Sequence, residues 1–427
     1  MADGVPARLP DSYIGRQRLL VIAVALTVTA IKLLLAATTS GSNDVGNYHA
    51  FANAIRHFGP IDMYGHTVVV GEHVYPVYNH PPLVGWMLVL FNRLSDLGIP
   101  FRFLIRLPAT IADVVTTVLA FELIRRTRPL REATVAGVII ASSPALIIVS
   151  GYHGNTDPIF VMFAFVSLYL LVTDRSALFA GAAYAAAIST KIVPIVALPV
   201  LLLIVARSGR RRLLEFLAGS GAVLAPLWVP VIVRSWRPFS QNVLGFKGAP
   251  GEWGLVRIAS LLGVSGHGLE VLEGPGRYPL LLLSAGIPLL IAWRQPERST
   301  AAFGLSLVGV LLLSTGTSGR YLVWAVAAAF LVDFWSAAVY NLAASVLLVV
   351  VYDRWSRAFP WQWNDAHGSA WTPTEILLAE IAWLALLAVA LRGLTKRKPP
   401  EVLVADGVRC GVPTIARACT NPREDFN

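Results

Sequence analysis

The chain has 427 residues, of which 56% are hydrophobic and only 14% charged, whereas ordinary soluble domains carry about a quarter charged residues. A soluble fold could not cover so much apolar surface, and the apolar residues fall in successive blocks of about 15–22, the pattern of membrane-spanning helices rather than the alternation of a β-barrel. The net charge of +10 sits mostly beside those blocks, where basic residues orient spans and attract anionic lipid head groups, so it argues for a membrane surface and against nucleic acid. The only cysteines, Cys410 and Cys419, lie in the polar C-terminal stretch, which leaves neither a disulfide framework nor a cysteine-held metal cluster to support a fold. The chain therefore reads as an all-α polytopic membrane protein with no separate soluble domain.

In chain order, Arg8, Arg16 and Arg18 precede an apolar run over 19–37. That run is long for a secretory signal, contains Lys32 and ends without a clear small-residue cleavage site, so it is expected as a first span behind an N-terminal segment 1–18. The block 83–94 is only about 12 residues long, too short for an ordinary span, and is expected as a re-entrant or interfacial helix. Parity supports this. With 83–94 kept on the outer side, Arg125-Arg126-Thr127-Arg128, Arg207 with Arg210-Arg211-Arg212, Arg294 with Arg298, and Lys396-Arg397-Lys398 all face the cytoplasm, as the positive-inside rule requires. The expected spans are then 19–37, 107–124, 132–150, 158–173, 177–190, 192–206, 213–233, 279–293, 300–316, 321–335, 338–352 and 375–392, twelve in all. Both termini are inside, and the links 38–106, 151–157, 234–278, 317–320 and 353–374 are outside. The pair 177–190 and 192–206 is short and broken at Lys191 and Pro194, so it can be two spans or one re-entrant hairpin without changing parity. From 393 to 427 the polar composition predicts a disordered cytoplasmic tail.

Unusual polar residues collect in the outer links. The first begins Ser42-Asn43-Asp44-Val45-Gly46-Asn47-Tyr48-His49, and an acid such as Asp44 at a cavity mouth can act as general base toward an acceptor hydroxyl. It can equally cap the helix-like run 48–57. Further along, Tyr78-Asn79-His80-Pro81-Pro82 approaches the short apolar block in an extended conformation, because proline restricts the residue before it. The link Gly151-Tyr152-His153-Gly154-Asn155-Thr156-Asp157-Pro158 places His153 and Asp157 at two span ends facing the same space, with helix capping as the plainer alternative for Asp157. Lys247, Arg257, and Arg320 with Tyr321 are cations and an aromatic on the outer side that can hold a phosphate or sugar, or simply anchor at the interface. Trp355, Trp361, Trp363 and Trp371 fit interfacial anchoring.

Taken together, Asp44-x-x-x-Tyr48, Tyr78-Asn79-His80-Pro81-Pro82-Leu83, Gly154-Asn155-Thr156-Asp157, Thr190-Lys191 followed by Pro194, and Arg320-Tyr321-Leu322-Val323-Trp324 resemble the GT-C glycosyltransferases, in particular their mannosyltransferase-like bacterial members, over residues 19–392. The resemblance implies a GT-C-like fold whose long first exported loop carries two juxtamembrane helices, in agreement with the parity argument. It implies an inverting transfer of a sugar, mannose by preference, from a polyprenyl-phosphate donor to a lipid or glycan acceptor at the outer face of a bacterial plasma membrane. Asp44 would be the base, and Tyr48, His49, His80, His153, Asp157, Lys247, Arg257, Arg320 and Tyr321 would bind substrate. Such enzymes often carry two acids where this chain has Asn43-Asp44, so no metal or other cofactor is expected. A transporter or flippase of lipid-linked sugars is the main alternative, although ionisable groups concentrated at one face and the lack of an evident repeat between halves favour an enzyme.

Overall fold

The computed structural model describes residues 10–70, 73–74, 77–248, 253–357, 362–363 and 371–395. Of the tail expected over 393–427, residues 393–395 belong to helix, the end of the segment Pro373–Thr395; the rest, with Lys396-Arg397-Lys398, as well as Trp361 and the side chain of Trp363, lies outside the described residues. Helices account for nearly all of the rest. In order they are α1 (Asp11–Thr38), α2 (Asn43–Asp62), α3 (Pro82–Asp96), α4 (Phe101–Leu104), α5 (Leu107–Ile124), α6 (Leu130–Ala141), α7 (Pro144–Leu146), α8 (Asp157–Val172) and α9 (Ala177–Thr190). There follow α10 (Leu198–Arg207), α11 (Arg210–Phe239), α12 (Leu255–Leu261), α13 (His267–Glu273), α14 (Arg277–Arg294), α15 (Ser299–Leu312), α16 (Val323–Val332), α17 (Phe334–Trp355) and α18 (Pro373–Thr395). Two-residue β-ladders pair Val69 with Val74 and Ser356 with Trp363.

Each expected span overlaps helix, but 132–150, 192–206 and 321–335 are each divided among two or three helical segments and 300–316 outruns α15; only six helical segments are long and apolar enough to cross a membrane by length and composition, or seven if the bent pair α13–α14 counts as one. Four more apolar helices have 10–17 residues. The boundary expected at 18/19 is not structural. Helix α1 starts at Asp11 and runs 28 residues, about 42 Å at 1.5 Å per residue, so within the expected N-terminal segment 1–18 the stretch from Asp11 is already helical.

The helices alternate in direction, and side-chain contacts show which ends meet. At one end Arg18 and Arg125 flank Glu122, Arg128 donates to the Val332 carbonyl, Arg207 to the carbonyls of Ala292 and Trp293, Arg212 pairs with Asp174, and Arg298 donates to the Gly393 carbonyl. The basic clusters singled out in sequence, as far as they are described, are thus gathered at one end. At the other end the segment between α1 and α5 starts and finishes at one place, since Arg106 binds Thr39. Helix α3 is therefore the short 15-residue helix that parity demanded, laid against α2 with Arg56 paired to Asp96, and the block 83–94 does not invert the chain.

Breaks have local causes. Pro144 at the start of α7 follows the end of α6, and residues Ile147–His153 form a π-helix that stops at Gly154 in the left-handed region (φ 81°). After α9, Lys191 is extended (φ −154°) and Pro194 opens a 3₁₀ turn, Val193–Ala197, before α10. That turn lies at the end opposite the basic residues, since Lys191 pairs there with Asp157, and α9 and α10 run to it and back. Helices α9 and α11 approach through reciprocal glycines: a Cβ on Gly181 would strike the Phe216 carbonyl, and one on Gly219 the Leu178 carbonyl. One large core runs through the bundle around Phe121, Phe165, Phe330 and Leu386, and a smaller one joins α2, α3 and α11 around Tyr48, Phe51, Tyr78 and Phe239.

Candidate active site

The site is assembled at the end away from the basic clusters. Ser42 accepts a hydrogen bond from the Asp44 N–H at 3.2 Å and caps α2, so Asp44 is not the cap; it sits in the first turn and its carboxylate turns to other groups. Asp44 Oδ2 lies 2.9 Å from His153 Nε2 and 3.0 Å from Arg320 Nη1. Among the described residues its Oδ1 makes no hydrogen bond. His153 ends the π-helix, is almost fully buried, and has Nδ1 2.6 Å from the Tyr352 hydroxyl. An ionised carboxylate only accepts, so Nε2 carries the hydrogen toward Asp44. The Ser42 hydroxyl ties the same corner together by donating to the His153 carbonyl at 2.8 Å.

A second ion pair stands beside the first. Asp157, wholly buried at the start of α8, accepts from Lys191 Nζ and, at 2.7 Å, from Trp324 Nε1, which leaves it no capping role. Lys191 lies 4.5 Å from the centre of the Tyr321 ring and 4.8 Å from that of Trp324, while the Arg320 guanidinium is 5.5 Å from Tyr321. The two cations thus flank one aromatic wall, Tyr321 stacked on Trp324 at 4.4 Å. Tyr48 closes the other side with its hydroxyl 3.3 Å from Thr156 Oγ1 and its ring 5.0 Å from His80.

Electrostatics separate the groups. Burial raises the Asp44 carboxyl, but Arg320 and His153 outweigh it and hold the group far below the usual carboxylate range, so it is ionised. Burial, with Lys191 and Arg320 nearby, pushes His80 down to about 3, so that imidazole is neutral. Arg320 Nε is buried and has no hydrogen-bond partner among the described residues. No group of three or more His, Cys, Asp and Glu among the described residues is arranged to hold a metal ion.

Of the residues anticipated from sequence, Asp44, Tyr48, His80, His153, Asp157, Arg320 and Tyr321 converge. His49 does not. It sits on the opposite face of α2, its ring 4.8 Å from Phe101, lining a separate cavity of about 480 Å³. Among the described residues neither Lys247 nor Arg257 forms an ion pair with Asp44 or Asp157: Lys247 is exposed, with its carbonyl against Gly316, four residues before Arg320, and Arg257 is exposed within electrostatic reach of Glu380. Lys191, Trp324 and Tyr352 were given no role in the sequence reading. A lysine inside an apolar block signals a function for Lys191, and Trp324 lies one turn after Arg320. Nothing local distinguishes Tyr352 from an interfacial tyrosine.

Fold and site define an all-helical, multi-pass membrane protein that reserves one end of its bundle for paired charges. Residues 79–236, less than half of the chain, match the family described as dolichyl-phosphate-mannose-protein mannosyltransferase. The match includes His80, His153, Asp157 and Lys191 but neither Asp44 nor Arg320. Among solved structures the chain is similar to ArnT from Cupriavidus metallidurans bound to undecaprenyl phosphate, at 17% identity and a TM-score of 0.49, over 88% of this chain and 76% of that one. The apo state of that protein gives 17% and 0.48 over the same shares. The archaeal oligosaccharyltransferase AglB from Archaeoglobus fulgidus, in complex with an inhibitory peptide and a dolichol-phosphate, gives 15% and 0.40 over 86% of this chain and 56% of that one. No curated protein sequence matches the chain.

Proposed function

We propose that the protein is a GT-C glycosyltransferase that moves a sugar, mannose by preference, from a polyprenyl-phosphate donor to a hydroxyl of a lipid or glycan acceptor at the outer face of the membrane, with inversion at the anomeric carbon. The observation that carries this reading is the Asp44–Arg320 pair. A carboxylate with one oxygen free of hydrogen bonds shares its other oxygen with an arginine whose own Nε is buried and unpartnered, so a proton acceptor and an anion donor stand side by side. The family match over 79–236 supports the donor class and the sugar.

In the reaction the acceptor oxygen attacks the anomeric carbon, the bond from that carbon to the phosphate oxygen breaks with its electrons going to phosphate, and the hydroxyl proton passes to Asp44 Oδ1. A strongly ionised carboxylate is a weak base. It suffices because the attacking hydroxyl becomes acidic as its bond to carbon forms. Charge stays balanced: Asp44, Asp157, Lys191 and Arg320 sum to zero at rest, and once Asp44 is protonated the sum is positive by one as the leaving phosphate gains one negative charge. Lys191 and Arg320 are the cations placed to hold that phosphate, in the role the sequence also offered to Lys247 and Arg257, and Tyr321 lies between them.

A lipid-linked sugar flippase remains the competing reading, favoured by one observation: the buried mid-span pair of Lys32 and Asp113 at 2.5 Å. The two are separated by incubating purified protein in liposomes with labelled polyprenyl-phosphate mannose and a membrane lipid extract. Transfer to a new product, lost in Asp44→Asn, is the expected result. Flipping without transfer, or full activity in Asp44→Asn, rejects the mechanism.

A further inference from the structure

Arg106 is entirely buried, and among the described residues it has no carboxylate partner. Its guanidinium instead gathers oxygens from the ends of two helices. Nη1 lies 3.1 Å from the Leu35 carbonyl, 2.9 Å from Thr39 Oγ1 and 3.3 Å from the Gly151 carbonyl, and Nη2 donates to the Thr39 carbonyl at 3.1 Å. Leu35 and Thr39 close α1, and Gly151 lies near the close of the π-helix. Carbonyls at helix ends carry the negative end of the helix dipole and keep lone pairs that the helix itself does not use, so one buried cation neutralises both ends at once. The backbone is shaped around this side chain. Gly41 (φ 84°) and Gly154 (φ 81°) flank it in the left-handed region; a Cβ at Gly41 would fall on the guanidinium, and one at Gly154 would lie 3.5 Å from Arg106 Cγ.

The two helix ends that Arg106 joins lead directly into the reacting pair. Three residues after Gly41 comes Asp44, and two residues after Gly151 comes His153. We infer that Arg106 is a positioning residue: by binding the ends of α1 and the π-helix together it sets the separation of Asp44 Oδ2 and His153 Nε2, and so the aim of the free Asp44 oxygen. This rests on the glycosyltransferase reading for its consequence in turnover but not for its consequence in geometry. Lysine cannot substitute, because a single ammonium lacks the planar fork that spans both helix ends.

The test uses the full-length protein. In Arg106→Lys, transfer turnover is expected to fall about 100-fold, the usual penalty for a displacement on the order of 1 Å at a reacting group, with donor affinity changed less than about threefold. Adding Arg106→Lys to Asp44→Asn is expected to cost little more than Asp44→Asn alone, because Arg106 acts through Asp44. Independently of activity, ¹⁵N spectra of labelled histidine, with His153 assigned through His153→Gln, should show a single His153 state with Nε2 protonated in the wild type and mixed states in Arg106→Lys. Wild-type turnover in Arg106→Lys, multiplying losses in the double variant, or an unchanged His153 spectrum would overturn the inference. Should Arg106→Lys fail to fold, Thr39→Val removes one acceptor without altering shape, and the same comparisons decide. Should the wild type transfer no sugar, the glycosyltransferase reading falls, and the histidine spectra alone judge Arg106.

Discussion

Asp44 stays a carboxylate because Arg320 and His153 both address one of its oxygens. Asp44→Asn keeps the shape and removes the proton acceptor, so transfer is expected to fall about 10²–10⁴-fold, measured as initial rate at saturating donor. His80 gives a separate signature. Its folded-state value, lowered to about 3 from 6.5, means that the unfolded chain takes up a proton before the folded chain does. Stability is therefore fully present above about 6.5 and declines as pH falls toward 3. The Asp44 contribution, also from a lowered group, is lost only below its ordinary value near 3.8, outside most of that window. Thermal unfolding in detergent should thus shift downward from pH 7 to pH 5 in the wild type and much less in His80→Gln. Lys191 is tied to a wholly buried partner. Lys191→Met strands the Asp157 charge and is expected to destabilise by about 3–5 kcal/mol in denaturant or thermal titrations, unless the carboxyl takes up a proton.

Among the elements, the contact between α9 and α11 positions Lys191, because α9 ends at Thr190 and the contact depends on Gly181 and Gly219. Valine at either position forces the helices apart. A loss of about 1–3 kcal/mol or more is expected for Gly219→Val, read from thermal unfolding, together with weaker donor binding as Lys191 moves. Parity in the sequence had already set the direction of α9. To what it left open, two spans or a re-entrant hairpin, the fold adds that the pairing of Lys191 with Asp157 across 34 residues brings the turn after α9 to the Asp44 end. The short helix α3 was legible from its length alone, since an apolar block of about 12 residues cannot span a bilayer.

Across the whole molecule, basic residues hold one end of the bundle and the paired charges the other. From the positive-inside rule the Asp44 end is expected outside. In a background with Cys410 and Cys419 replaced by serine, Ser265→Cys should react with a membrane-impermeant maleimide on intact cells, and Ser208→Cys only after permeabilisation. The reverse pattern would place the site on the cytoplasmic side and remove a lipid-linked donor at the outer leaflet from consideration.

Sequence by itself determined the helical class, the approximate span positions, the demotion of 83–94 and the gathering of basic residues at one end. These follow from hydrophobicity and charge, which each residue contributes locally and which a bilayer reads segment by segment. It also pointed to Asp44, His80, His153, Asp157 and Arg320, because polar groups in outer links are costly enough to stand out. Only the tertiary structure decided which of them meet. Asp44 and His153 are 109 residues apart, and His153 and Tyr352 are 199 apart. Such pairings depend on how helix ends converge, which no local property encodes; for the same reason His49 turned to Phe101, and Lys191, Tyr352 and Arg106 came in.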